Sequence, residues 1–362
     1  MERKKAIKIP ISQALPGMVV ADDVYTMDNH LVILKNTTLT DKIIARLEFY
    51  SIEEIWVKSI ANPKVIIDDE QSSYFNKIRT SEGFKRFHLA YANTFSDFRE
   101  SINKVIKEKI DLDIRKLLAD ISNILLLCNS SIDLLNMLHC IRNYDDTTYV
   151  HSLNVALISN VIGRWLNFSQ YDLEAITLAG LLHDIGKIFI PSSIITKPDK
   201  LTDEEYNTVK QHAVSGYQIL MNKDIDERIK NTALMHHERC DGSGYPYGLH
   251  TDQIDPFARL VAIADVYDAM TCARVYRGPM CPFEVLSIFE SEGFTKYDPA
   301  YITTFLEGIA QTYIHNTVRL SNGMTGEIVL INKIELSKPV VLVGDTFIDL
   351  SKQRDVHITA LS

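Results

Sequence analysis

Hydrophobic and polar positions along the chain change their period twice. Over residues 1–62 short β-rich runs alternate with turn signals. Val19–Tyr25, the pair Asp28-Asn29 and Leu31–Leu34 predict a hairpin, and Ile55–Val57 predicts a further strand. Thr40 stands where a cap would open a helix through Tyr50. A small α/β module with a regulatory role is expected there. Over 63–135 apolar residues recur at helical spacing among many charges, which predicts a helical connector. Helical periods continue over 136–315, interrupted by Ile190–Leu201 and Arg239–Pro256, which carry most of that region's Pro and Gly and read as loops over a helical core. The tail, 316–362, returns to β-type text with Thr317–Leu320, the turn Ser321-Asn322-Gly323, Thr325–Ile331 and Val340–Val343. The expected fold class is mainly α: a helical bundle with a small N-terminal α/β module, a helical connector and a short C-terminal β element.

Composition narrows the function classes. Apolar residues make up 46% and charged residues 23%, the balance of a folded, water-soluble protein. The most apolar stretch, Ile121–Ile141, is broken by Asn123, Asn129, Ser130, Ser131, Asp133 and Asn136, so it reads as an amphipathic helix packed on protein and not as a bilayer span. A formal charge of −9 argues against non-specific binding to polymeric nucleic acid, which needs clustered Lys and Arg. A small anionic ligand would need a local positive site made by a few basic side chains or by metal ions. The five cysteines form no C-x-x-C pair and their odd number does not suggest a disulfide framework. Met1–Pro10 is basic but lacks the apolar run of a secretory signal. A reducing cytoplasm is the expected setting.

Five of the eleven histidines fall between 151 and 237. Drawn as a helix, the segment from His151 places Val155, Ile158, Ile162 and Trp165 within about 40° of the histidine, so His151 points inward. His183 shares a face with Ile176 and Ala179, and Asp184 follows it; an adjacent His and Asp can both reach one metal, and the carboxylate has a second oxygen for another. Thr202-x-x-Glu205 is a capping box that opens a helix carrying His212, which has Val209 and Gly216 on its side. His236 lines up with Ile225, Ile229 and Thr232, and His237 is adjacent. Asp265 lies on an apolar stripe with Ala258, Val261, Ala262 and Ala269, where a charge is costly unless paired or metal-bound. One histidine on an apolar face is ordinarily a hydrogen-bonded core residue. The periodicity turns each group inward without showing that they meet.

These residues resemble the HD-GYP phosphodiesterases. His183-Asp184-Ile185-Gly186-Lys187 matches the H-D-x-G-K signature, and His236-His237-Glu238-Arg239 followed by Asp241-Gly242-Ser243-Gly244-Tyr245-Pro246 matches the second signature of that family. Tyr149-Val150-His151-Ser152, Lys210-Gln211-His212 and Ala264-Asp265-Val266-Tyr267-Asp268-Ala269-Met270-Thr271 extend the likeness over roughly 136–315 in family order. The resemblance implies an HD-type bundle that hydrolyses cyclic di-GMP to linear pGpG, and onward to GMP. It implies that His151, His183, Asp184 and Asp265 hold one metal, and that Asp184 bridges to a second held by His212, His236 and His237. Two divalent ions are expected, iron or manganese, although zinc also fits a mixed N and O shell. Some relatives place a carboxylate for a third metal four residues before the first histidine; that position here is Thr147.

In the implied mechanism two cations about 3.5–4 Å apart hold a bridging hydroxide in line with the phosphodiester. Lys187 is the candidate for stabilising the developing charge. By resemblance Tyr245 contacts a phosphate or base of the ligand, and Arg274 and Arg277 match positions that grip phosphate and guanine edges, which a guanidinium fork suits. Gly242 and Gly244 allow the loop a close approach to that ligand. Two departures stand out, Ala213 where many relatives have Pro and Cys240 where an aromatic is frequent; neither is a ligand, and altered packing or affinity is expected. The competing readings are an HD enzyme preferring a mixed cyclic GMP-AMP, and a cyclic di-GMP sensor whose metal site holds ligand with little turnover. The flanking segments are the expected contacts for a second copy of the chain or a signalling partner.

Overall fold

The computed structural model describes residues 6–11, 14, 17–25, 31–40, 43–44, 47, 52, 54–58, 69–108, 112–141, 147–195, 202–271, 280–353 and 355–362. The N-terminal part is β-rich: β1 (Ala6–Pro10), β2 (Val19–Val20), β3 (Val24–Tyr25), β4 (Leu31–Ile33) and β5 (Glu54–Lys58). In β5 Ile55 and Val57 are buried while Trp56 and Lys58 are exposed, the two-residue alternation of a strand with one wet face. The expected hairpin is only half of what forms. Val24–Tyr25 pairs with Leu31–Ile33, but Val19–Val20 leaves that pairing for β5, in an antiparallel sheet of order β1-β5-β2. Asp23, between β2 and β3, accepts the Lys35 N–H at 2.6 Å and anchors the bend there. The Asp28-Asn29 turn lies outside the described residues. Ile9, Val20, Val32, Leu39, Ile55 and Val57 form a core separate from the main one.

The helices follow: α1 (Asp69–Thr80), α2 (Glu82–Glu108), α3 (Ile114–Leu126), α4 (Ser131–Cys140), α5 (Thr147–Trp165), α6 (Gln170–Leu182), a 3-10 turn (Ile185–Phe189), α7 (Ser192–Ile195), α8 (Asp203–Leu220), α9 (Glu227–Met235), α10 (Pro256–Thr271), α11 (Pro282–Lys296) and α12 (Pro299–Thr312). Local chemistry sets their starts. Ser130, Ser169, Asp226 and Asp298 each accept a backbone N–H of the first turn, and Thr202 and Glu205 complete the capping box that opens α8. The apolar run Ile121–Ile141 is two helices and not one. Ser130 is extended and caps α4, so α3 and α4 meet at 102°. No single described helix is long and apolar enough to cross a membrane; α3 and α4 pass only as that bent pair, and Leu117, Ile121, Ile124, Leu134 and Leu135 spend their apolar faces in the core.

That core is continuous. Phe75 of α1, Phe87 and Tyr91 of α2 and Leu117 of α3 belong to the same buried cluster as Leu153 of α5, Ile176 of α6, Val261 of α10 and Phe305 of α12. The helices of the 63–135 segment therefore pack on the bundle directly. A five-stranded antiparallel sheet closes the chain, built from β6 (Thr317–Leu320), β7 (Thr325–Leu330), β8 (Val340–Val343), β9 (Thr346–Asp349) and β10 (Ile358–Leu361) in the order β10-β6-β7-β8-β9. Val318, Ile328, Val341 and Ile358 carry the main core into it.

Candidate metal centre

Five segments far apart in sequence deliver seven side chains to one buried place. α5 brings His151, the C-terminal end of α6 brings His183, and Asp184 opens the 3-10 turn that follows. α8 brings His212, the end of α9 brings His236 and His237, and α10 brings Asp265. The approach of the 3-10 turn to α8 requires glycine: a Cβ on Gly186 would run into the His212 carbonyl oxygen.

The ligand atoms fall into two groups, each within 4.8 Å: His151, His183 and Asp265, and Asp184, His212, His236 and His237. Asp184 faces both. Its Oδ2 is 3.4 Å from His183 Nε2 and 3.8 Å from His151 Nε2, while its Oδ1 is 3.3 Å from His212 Nε2 and 3.6 Å from His236 Nε2. Asp265 Oδ1 lies 3.0 Å from His151 Nε2, and its Oδ2 lies 3.9 Å from His237 Nδ1.

The outward nitrogens fix which atoms look inward. His183 Nδ1 donates to the Gly180 carbonyl at 2.7 Å, His212 Nδ1 to that of Val209 at 2.6 Å, and His236 Nδ1 to those of Thr232 and Ala233 at 3.1 and 3.2 Å. A proton on Nδ1 leaves the Nε2 lone pair free for a metal. For His151 the outward partner is Asp268, whose Oδ2 accepts Nδ1–H at 2.7 Å.

The donor set fits cations. His183 Nε2 and Asp184 Oδ1 are buried and have no hydrogen-bond partner among the described residues, an arrangement that is costly unless an ion or water completes it. His212 and His236 turn Nε2 toward Nε2 at 3.3 Å, so two lone pairs meet unless a proton or cation sits between them. Burial pushes His212 down to about 3 and lowers His236, and burial together with the neighbouring His236 and His212 holds His237 well below the usual imidazole range. These three are neutral near pH 7, the form that binds metal. His151 differs. Burial works against its imidazolium, but the Asp265 and Asp268 carboxylates outweigh it and push the pKa up to about 10. Burial also works against the Asp184 carboxylate, and the Lys187 ammonium and His183 outweigh it, holding Asp184 well below the usual carboxylate range. The cluster is a metal site built of His and Asp.

Around the ligands, Lys187 Nζ is 2.7 Å from Asp184 Oδ2 and half-buried at the site. The Tyr245 ring stacks on His237 with centroids 4.5 Å apart and planes at 28°. Gly244 lets that loop lie against the chain: a Cβ there would collide with the backbone of Glu238 and Arg239. Arg274 and Arg277 lie outside the described residues. Two supporting acids were not singled out by the sequence reading. Glu238 is buried and accepts the N–H groups of Tyr247 and Leu249 at 2.7 and 2.9 Å, and Asp268 holds His151. The one sequence signal for Asp268 was its spacing three residues after Asp265, which puts both on one helical face.

With this geometry in view, a family profile described as the HD domain matches residues 132–301. This region is an HD domain. Its two signatures resemble those of the HD-GYP type. Over 187 residues the chain is 35% identical to a cyclic di-GMP phosphodiesterase of Pseudomonas aeruginosa, covering 51% of this chain and 45% of that one. It is 39% identical over 178 residues to a cyclic di-GMP phosphodiesterase of Thermotoga maritima, covering 49% and 48%. A 3'3'-cGAMP-specific phosphodiesterase of Vibrio cholerae is 38% identical over 149 residues, covering 41% and 32%. The chain thus spans less than half the length of these curated relatives. Among solved structures, an HDG"Y"P protein from Bdellovibrio bacteriovorus superposes with a TM-score of 0.51 at 18% identity, covering 83% of this chain and 98% of that one. That likeness concerns the fold of the HD domain and the elements around it.

Proposed function

We propose that the HD domain is a phosphodiesterase that opens cyclic di-GMP to linear pGpG, and onward to GMP, with two divalent metal ions, iron or manganese. The observation that carries the reading is the Asp184 carboxylate, which turns one oxygen to each of two groups of inward-facing nitrogens and oxygens. Its substrate class is supported by the names of the curated relatives. The cytoplasm is the proposed setting, in keeping with the described cysteines, Cys128, Cys140, Cys240 and Cys281, which form no disulfide with one another.

His151, His183 and Asp265 would hold one ion, His212, His236 and His237 the other, and Asp184 both. Ions so held supply positive charge against the phosphodiester oxygens and lower the pKa of water. The chain's own residues do the remainder. Backbone carbonyls and Asp268 keep Nδ1 of His151, His183, His212 and His236 protonated and those rings fixed, so the site needs little reorganisation when substrate arrives. The Lys187 ammonium, beside Asp184, places a fixed cation where the leaving oxygen gains charge. Tyr245, held on the His237 ring, offers a hydroxyl and an aromatic face to a phosphate or base at the edge of the ions. In a chain of net charge −9 the ions and Lys187 would be the local positive site that a dianionic substrate requires, and the proposed role of Arg274 and Arg277 is to add to it.

Incubation of the protein, purified and reconstituted with Fe²⁺ or Mn²⁺ under anaerobic conditions, with cyclic di-GMP and with cyclic GMP-AMP tests this. Conversion of cyclic di-GMP to pGpG at the higher kcat/KM is expected. Tight binding of cyclic di-GMP with no product would make the protein a sensor, and preferential cleavage of cyclic GMP-AMP would change the substrate.

A further inference from the structure

Helix α2 precedes the residues matched by the HD domain, yet one of its side chains reaches the support of the metal centre. Tyr91 is fully buried against α5, where its hydroxyl donates to Asn154 Oδ1 at 2.7 Å and lies 3.2 Å from the Val150 carbonyl oxygen. Asn154, also fully buried, donates from Nδ2 to Asp268 Oδ1 at 2.9 Å. Asp268 Oδ2 in turn accepts Nδ1–H of His151 at 2.7 Å.

Each link has a direction. The phenol can donate to the Asn154 oxygen, which leaves the amide N–H to face the carboxylate. A flipped amide would set its oxygen against Asp268, acceptor against acceptor. Asp268, an acceptor only, turns the Asn154 N–H toward itself, and the Tyr91 hydroxyl satisfies the amide oxygen left facing α2 and so holds that orientation; Asp268 Oδ2 in turn fixes the His151 ring through Nδ1, with Nε2 directed at Asp265. Packing alone does not need that hydroxyl: the ring's neighbour Phe87, with centroids 5.9 Å apart, would pack equally well on phenylalanine.

We infer that Tyr91 is a positioning residue for the first metal group, acting through Asn154 and Asp268 on His151, and that α2 is thereby part of the metal centre's support. This rests on the two-metal reading of the site. Changing an outer partner of a metal-ligating histidine typically costs 10–100-fold in affinity, and for a residue two links further out the lower end, roughly tenfold, is expected.

The test is titration of the metal-free full chain with Mn²⁺, followed by calorimetry and by the paramagnetic signal of free Mn²⁺. Tyr91→Phe is expected to weaken one of the two sites roughly tenfold and leave the other unchanged. Tyr91→Phe combined with Asp268→Asn should bind no more weakly than Asp268→Asn alone, because the residues act in series. Tyr313→Phe is the control, since the buried Tyr313 hydroxyl has no hydrogen-bond partner among the described residues; it should leave both sites as they are. Equal loss at both sites, unchanged affinity with only a lower Tm, or losses that add in the double variant would overturn the inference. Should Tyr91→Phe fail to fold, Asn154→Leu reads the same chain at its next link, and unchanged first-site affinity there is equally fatal. The readout is ion affinity, so a protein that binds two ions yet leaves cyclic dinucleotides intact would sink the proposed activity and spare this inference.

Discussion

The Glu238 carboxylate accepts the backbone N–H of Tyr247 at 2.7 Å, and this bond ties the residue after the paired histidines to the loop that carries Tyr245. Leu249 donates to the other oxygen at 2.9 Å, so one buried acid holds at two points the chain that leaves the Gly-Tyr-Pro turn. Glu238→Ala leaves two N–H groups without an acceptor and should cost about 1–3 kcal/mol of stability. Because the metal ligands keep their own supports, KM for the cyclic dinucleotide should rise while metal content stays at the wild-type level. Loss of the metals with the loop contact would show that Glu238 serves the ions and not the loop.

Asp184→Ala removes the group that faces both sets of donors. It should abolish turnover and lower metal content, whereas Tyr245→Phe, which removes one hydroxyl, should leave metal content unchanged and reduce the rate far less. Elemental analysis beside a turnover assay checks both. Near-normal metal and rate in Asp184→Ala would end the shared-carboxylate assignment.

Lys187→Ala takes away an ammonium placed 2.7 Å from Asp184 Oδ2. The expected result is a kcat about 10²-fold lower with two metals retained, as for loss of one preorganised charge at a reacting centre. Arg274→Ala is expected to act mainly on KM, since its contact is assigned to ground and transition states alike. Stripping of the metals by Lys187→Ala would make the lysine a support for Asp184 instead.

Asp226 gives a prediction away from the site. It caps α9 through the Arg228 N–H, and its hydrogen bonds from the Arg228 guanidinium, outweighing burial, bring its pKa down to about 2. A depressed carboxylate contributes stability above its ordinary pKa and loses it as pH falls through the folded value. Asp226→Ala should therefore cost about 1 kcal/mol at pH 7, the worth of a helix cap. The gap to wild type should narrow near pH 2. Urea unfolding at the two pH values measures this, and a gap independent of pH would assign the effect to packing.

Much of the fold was legible because period and caps are local. The Thr202/Glu205 box, the β5 alternation and the inward turn of His151, His212 and Asp265 could all be read from residues within a few positions of each other. What pairs with what was not. Asp268 meets His151 across 117 positions and Tyr91 meets Asn154 across 63, contacts set by how α2, α5 and α10 cross. The break between α3 and α4 is a different kind of miss. Ser130 three residues before Asp133 is a local cap signal, overridden in the reading by the apolar run around it. In the N-terminal part, the basic charges of Met1–Pro10 hid the spacing of Ile7 and Ile9 in β1, the strand that pairs with β5.

Anomalous scattering from crystals of the Mn²⁺-reconstituted protein tests the central claim most directly. The account predicts two manganese peaks, one among His151, His183 and Asp265 and one among His212, His236 and His237, with the Asp184 carboxylate between them. A single peak, or two peaks of which Asp184 touches only one, would contradict it.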